Sequence, residues 1–178
     1  MQGTLGVYIW AKMGTSTLFK SNESEKGMNA PDIKGLEMLD GSIMSSLKDD
    51  SEVIYVVVFW ATWCSRSRAN LPTLNSYFKR YHNKADNVDF VGITAEPLST
   101  VRAFLSRNVH RMNFPCASDL TGRVAKSYDV TSTPKAYVIL DQKIQWSGIA
   151  DTSLELAIKS AVYARKMKRV DKSKEKLS

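Results

Sequence analysis

An α/β sandwich, with a mixed β-sheet covered by helices on both faces, is the fold this chain predicts. Two observations carry that reading. Val53 to Trp60 and Val88 to Ile93 are near-continuous apolar, β-branched runs, the pattern of strands buried on both faces. Each is followed by apolar residues at helical spacing, and the chain then ends in a hairpin signal and one more helix. Strand, helix, strand, helix, hairpin, helix is the order of a layered α/β domain.

The elements follow in chain order. Residues 1 to about 28 hold Gly, Ser and Lys without a sustained period and are expected to be an extension. The domain is expected over 29–164, opening at Ala30-Pro31-Asp32, with a tight turn at Leu39-Asp40-Gly41-Ser42. After the first strand, Leu71, Leu74, Phe78 and Tyr81 mark one helix face. Pro72 lies inside that helix and should kink it, because it lacks the N–H for the i−4 carbonyl. Ser99-Thr100 are candidate caps for a helix carrying Val101, Phe104 and Leu105. Asp119 precedes a short helix through Val124 and Tyr128. Lys135 to Leu140 and Lys143 to Ser147 flank Asp141-Gln142 as a hairpin. Asp151 is placed to cap a last helix with the stripe Leu154, Ala157, Ile158, Ala161 and Val162.

With 178 residues, 43% of them hydrophobic, the chain can bury one sizeable core. From Arg165 onward stand seven basic and two acidic residues, a net +5 of the formal +7. The body is nearly neutral, and residues 165–178 read as a basic tail. Nucleic-acid stacking has little support, since Tyr163 is the one aromatic nearby; a solubilising segment, or one docking onto a larger assembly, fits better. Two cysteines at 64 and 116 make no disulfide framework, so a reducing, cytoplasmic setting is the simpler expectation. Lys12 and Lys20 without an acid in residues 1–22 leave a mitochondrial presequence as the alternative. Leu5 to Ala11 makes a poor signal peptide, and no apolar run reaches membrane-spanning length.

The chemistry concentrates in Trp63-Cys64-Ser65-Arg66-Ser67. This is a W-C-x-x-C dithiol motif with serine in the second place, set between a buried strand and a helix. A helix N-terminus stabilises a thiolate, and Arg66 and Arg68 are expected to add to that. The bland reading is a relic cysteine on an inherited turn. Trp60 reads as sheet core and Trp63 as its surface-facing neighbour. Cys116, in Phe114-Pro115-Cys116, reads as a small buried hydrophobe before a distant resolving thiol. His82 and His110 are isolated, so no metal site is expected, and no Gly-rich phosphate loop or other cofactor signature is present.

Several stretches in the right order resemble the thioredoxin superfamily, in its redoxin branch of TlpA- and ResA-like proteins. They are Gly27-Met28-Asn29-Ala30-Pro31-Asp32, Phe59-Trp60-Ala61-Thr62-Trp63-Cys64, Pro72, Asp119 to Val130, and Thr133-Pro134 followed by Ala136 to Asp141. The resemblance covers about residues 27 to 162 and implies a thioredoxin-like three-layer sandwich. It also implies that Cys64 is the nucleophile and Pro134 a cis-proline facing it. Trp63, Ser67 and Thr133 would then border the bound partner, Thr133 through its backbone. Ser67 stands where the resolving cysteine belongs, and Asn70 where the TlpA-like proteins carry a proton-handling Glu. Dithiol turnover is therefore not expected. Peroxiredoxins carry Thr three residues and Pro seven residues before their nucleophile, and Ala61 and Val57 stand there instead. Monothiol glutaredoxins bind iron–sulfur clusters through C-x-x-S, but Ser65 and Arg66 depart from their motif. Two functions remain: single-cysteine exchange with a protein thiol, disulfide or glutathione partner, or a non-catalytic thioredoxin-fold binding module.

Overall fold

A computed structural model describes residues 23–47, 52–107 and 111–175. Among these the sheet has six strands: β1 (Glu37–Met38), β2 (Ile54–Phe59), β3 (Val88–Thr94), β4 (Cys116–Ser118), β5 (Lys135–Leu140) and β6 (Lys143–Gly148). Their spatial order is β1-β4-β3-β2-β5-β6. β2 pairs parallel to β3 and antiparallel to β5, so the sheet is mixed, as expected. The helices are α1 (Ser65–Tyr81), α2 (Leu98–Arg107), α3 (Arg123–Ser127) and α4 (Thr152–Glu175).

Period-two alternation along β2 divides the core. Val56 and Val58 face a cluster containing Leu74 and Tyr77 of α1 and Leu154, Ile158 and Val162 of α4. Val57 and Phe59 face the opposite cluster, with Val124, Tyr128 and Ile33. Helices thus cover both faces, because a strand apolar at every position has no side it can leave in water. A third cluster joins Trp60, Leu71, Val101 and Cys116 where α2 packs.

Local chemistry sets the connections. Gly41 takes φ +88° in its turn, and Asp40 accepts from the Ser42 amide at 2.9 Å. Asp141 and Gln142 both have positive φ, the two-residue hairpin turn whose twist matches the flanking strands. Asp151 accepts from the Ser153 amide at 2.9 Å at the start of α4. α1 runs unbroken across Pro72, which lies on its exposed face where water can take the orphaned carbonyl.

Several expectations change. β1 and β4 were not legible in the sequence. α2 begins one residue earlier than its proposed Ser99-Thr100 cap, with the Pro97 carbonyl accepting from the Thr100 and Val101 amides. Contacts and helix also run across both expected boundaries. Before Asn29, the Gly27 amide donates to Ile144 O at 2.7 Å, and Glu25 pairs with Lys135 at 3.5 Å. Beyond residue 164, the segment read as a tail continues α4 to Glu175. Arg165 is 1% exposed and donates to Glu52 O at 2.8 Å and Ala85 O at 2.7 Å. Lys166, Lys168 and Arg169 pair with Asp86, Asp141 and Glu52. Those charges are absorbed by acids of the body. No described helix is long and apolar enough to cross a membrane. Expectations for residues 1–22, His110 and residues 176–178 lie outside the described residues.

Candidate active site

The site forms where β2 gives way to α1. The Trp60 amide donates to Ile93 O at 3.0 Å, holding the strand end against β3, and the Trp60 ring is buried beside Phe104. The loop that follows is clamped twice. Glu96, in the turn after β3, accepts from the Thr62 amide at 2.7 Å and the Thr62 hydroxyl at 2.5 Å. Arg68 donates to Thr62 O at 2.9 Å. Trp63 is left 72% exposed and Cys64 partly exposed at the helix N-cap.

Cys64 sits among donors. Its Sγ accepts from the Ser67 amide at 3.5 Å, and as a thiol it donates to Thr133 O at 3.4 Å. The Thr133–Pro134 bond is cis and Pro134 is buried, which brings the Thr133 carbonyl to the sulfur. Burial acts to raise the Cys64 pKa. Hydrogen bonds from the Ser67 side chain and amide, the Thr133 side chain and the Arg66 amide outweigh it and hold the pKa at about 7. The α1 first turn carries no acid to compete for those amides. The cause therefore differs from the expected arginine charges. Arg66 acts through its backbone, and the Arg68 guanidinium is turned onto the Thr62 carbonyl.

Ser67 is 1% exposed, and its hydroxyl accepts from the Ala61 amide at 3.4 Å. That leaves its proton to serve the sulfur, which stabilises a thiolate without being able to attack a disulfide. Asn70 donates through its side chain to Ala150 O, tying α1 to the loop that leads into α4. Cys116 lies 1% exposed in β4, and burial pushes its thiol up to about 11 despite the Trp60 indole beside it. His82 is engaged with Val88 O and Asp89. Among the described residues no three His, Cys, Asp or Glu side chains are grouped to hold a metal.

Sequence reasoning missed two acids. Glu96 clamps the loop from 34 residues away, and Asp119, 1% exposed, accepts from the Ala125 amide at 2.8 Å. The available signal was an acid within two residues of a buried strand's end, which alone does not distinguish a clamp from a turn.

The family model of the AhpC/TSA family matches residues 27–147. The thioredoxin-like protein YneN of Bacillus subtilis is 35% identical over 120 residues, 67% of either chain. The thiol-disulfide oxidoreductase ResA of Bacillus thuringiensis subsp. konkukian is 26% identical over 121 residues, 67% of this chain and 66% of ResA. The chain thus spans about two thirds of the length of these curated relatives. A thiol:disulfide interchange protein of the thioredoxin family from Chlorobium tepidum superposes with a TM-score of 0.63 at 22% identity, covering 77% of this chain and 97% of that one. The fold is thioredoxin-like.

Proposed function

We propose that this chain, which belongs to the AhpC/TSA family, performs thiol–disulfide exchange through Cys64 alone. The Cys64 thiolate attacks one sulfur of a partner's disulfide. The S–S bond of the partner breaks, a Cys64–partner bond forms, and the second partner sulfur leaves as a thiolate that takes a proton from water. Disulfide count is unchanged, so the step needs no separate oxidant. Ser67 offers no second thiol, so release requires an external one such as glutathione, which takes the partner's place in a new disulfide.

A single observation carries this reading: a partly exposed sulfur with a pKa of about 7 beside an accessible tryptophan and a cis-proline turn. Near pH 7 about half of such a thiol is ionised, against a few per cent of an ordinary cysteine. The relatives named as thiol–disulfide oxidoreductases and interchange proteins support it. The Ala61 and Val57 positions, both buried, supply no peroxide-binding hydroxyl or proline.

The test is mass spectrometry under non-reducing conditions with a disulfide-bonded peptide. Wild type and Cys116→Ser are expected to hold one peptide each until glutathione is added, and Cys64→Ser none. Turnover without an external thiol, lost in Cys116→Ser, would overturn the single-cysteine reading. The loss of the resolving thiol favours one other reading, a non-catalytic binding module, which predicts partner capture undiminished by Cys64→Ser.

A further inference from the structure

Beside the reactive sulfur lies a cavity of about 310 Å³ whose rim is the exposed Trp63 and the Thr131 to Thr133 turn. Its walls are largely apolar, with Val130 and Ala125 among them, yet two carboxylates, Glu96 and Asp119, border it. No lysine or arginine is among the residues lining it. Glu96 is half-buried and fixed by Thr62 and by the Thr94 hydroxyl at 3.2 Å. Asp119 is 1% exposed; its Oδ2 takes the Ala125 amide, and its Oδ1 has no hydrogen-bond partner among the described residues. A buried carboxylate oxygen without a donor is an unmet demand, since such groups are ordinarily satisfied. Glu96 takes three donors, all of them uncharged, and the cavity lining holds no base, so two carboxylates in largely apolar surroundings favour a cation that arrives on an apolar stem. This in a chain of formal charge +7.

We infer that this cavity is a specificity pocket for a lysine or arginine side chain of the partner, placed within a few residues of the disulfide that Cys64 attacks. The inference rests on the exchange reading of Cys64 and names its substrate class. The stem packs along Trp63 and Val130, and the charged head meets the half-buried Glu96, while the buried Asp119 carboxylate acts on it through space. The site is large enough for one long side chain and too small for a folded element. Thr133 belongs both to this cavity and to the Cys64 contact, so a peptide lying across the cis-proline turn can reach the two together.

The experiment uses peptides bearing one cysteine as a mixed disulfide with thiopyridine, with lysine, norleucine or glutamate at one to three residues on either side. At low salt the best-placed lysine peptide is expected to react about tenfold faster than its norleucine counterpart, and the glutamate peptide more slowly than both. Glu96→Gln and Asp119→Asn are each expected to bring the lysine-to-norleucine ratio towards one. The ratio is the readout, so a general change in Cys64 reactivity does not enter it. Equal rates for lysine and norleucine at every position would overturn the pocket. If no peptide reacts and neutral dipyridyl disulfide does not react either, it is the exchange reading that fails. Binding of serine-containing versions of the peptides to Cys64→Ser, read by tryptophan fluorescence, then decides the pocket separately: a lysine preference upholds it and none overturns it.

Discussion

Replacing Ser67 by Ala tests whether the serine is a spent resolving position or the group that sets the thiol. The hydroxyl is buried and takes the Ala61 amide at 3.4 Å, and it is the strongest of the hydrogen bonds lowering the Cys64 pKa. A hydrogen bond to a charged acceptor contributes about 1.5–3 kcal/mol, equivalent to roughly one to two pKa units. Cys64 is partly exposed, and the Ser67 and Arg66 amides still donate to it in the variant. The low end therefore applies, giving a pKa of about 8 in Ser67→Ala. Thiolate at pH 7 then falls from about half to about a tenth. Each remaining thiolate is more basic and, with a Brønsted slope of about 0.4–0.5, roughly threefold more nucleophilic. The alkylation rate at pH 7 thus drops only about twofold, and a single-pH rate would hide the effect. The assay is a full pH–rate profile with iodoacetamide, whose midpoint should move up by about one unit. A folded Ser67→Ala variant with an unmoved midpoint would refute the assignment of the serine hydroxyl.

Two further outcomes follow from other groups. The Cys64 pKa is depressed in the folded chain, so its contribution to stability is present above the unfolded value near 8.5 and lost as pH falls through about 7. Between about pH 7 and 9, the melting temperature of wild type should rise relative to Cys64→Ser; parallel curves would contradict the depressed thiol. Arg165→Met removes the donor of two carbonyls, Glu52 O and Ala85 O, in a site where the arginine is 1% exposed. The expected loss is about 2–4 kcal/mol, read from urea denaturation, and an unchanged midpoint would show that the basic end of α4 adds nothing to the domain.

What was legible in the sequence is what depends on local periodicity. The alternation in β2, the 3.6-residue stripe of α4 and the hairpin at Asp141-Gln142 are each written within a dozen residues. β1 and β4 hold two and three residues, too few for any period, and exist because β4 pairs along the end of β3 and Glu37 meets Ser118 on its other side. The extent of α4 is hidden in the sequence for the same reason. Arg165 and the bases after it have the composition of a solvated tail, but their partners lie 80 or more residues away for Arg165, Lys166 and Arg169. At the site, Cys64, Ser67, Thr133 and Pro134 form contiguous motifs and were found by them. The helix N-terminus as a source of the thiol's acidity was legible as well; the lack of a contribution from arginine charge was not, because composition shows that arginines are near in sequence but not that Arg68 turns away to Thr62.

That correction bears on how a dithiol site becomes a single-thiol one. Were arginine charge the main support of the Cys64 thiolate, exchanging the second cysteine for serine would leave the thiol's acidity untouched and remove only the exit route. Hydrogen bonding makes the exchange consequential. A serine hydroxyl at position 67 is a better donor to sulfur than a thiol, and burial keeps water from competing for it. On the proposed exchange reading, serine at this position both leaves no internal attack on a mixed disulfide and supports the nucleophile that forms it. Asn70 fits the same logic: no second thiol must be deprotonated, so a neutral amide can spend its donor on Ala150 O and brace α1 against α4. Both features fit the proposed exchange through Cys64, in which an outside thiol releases the partner.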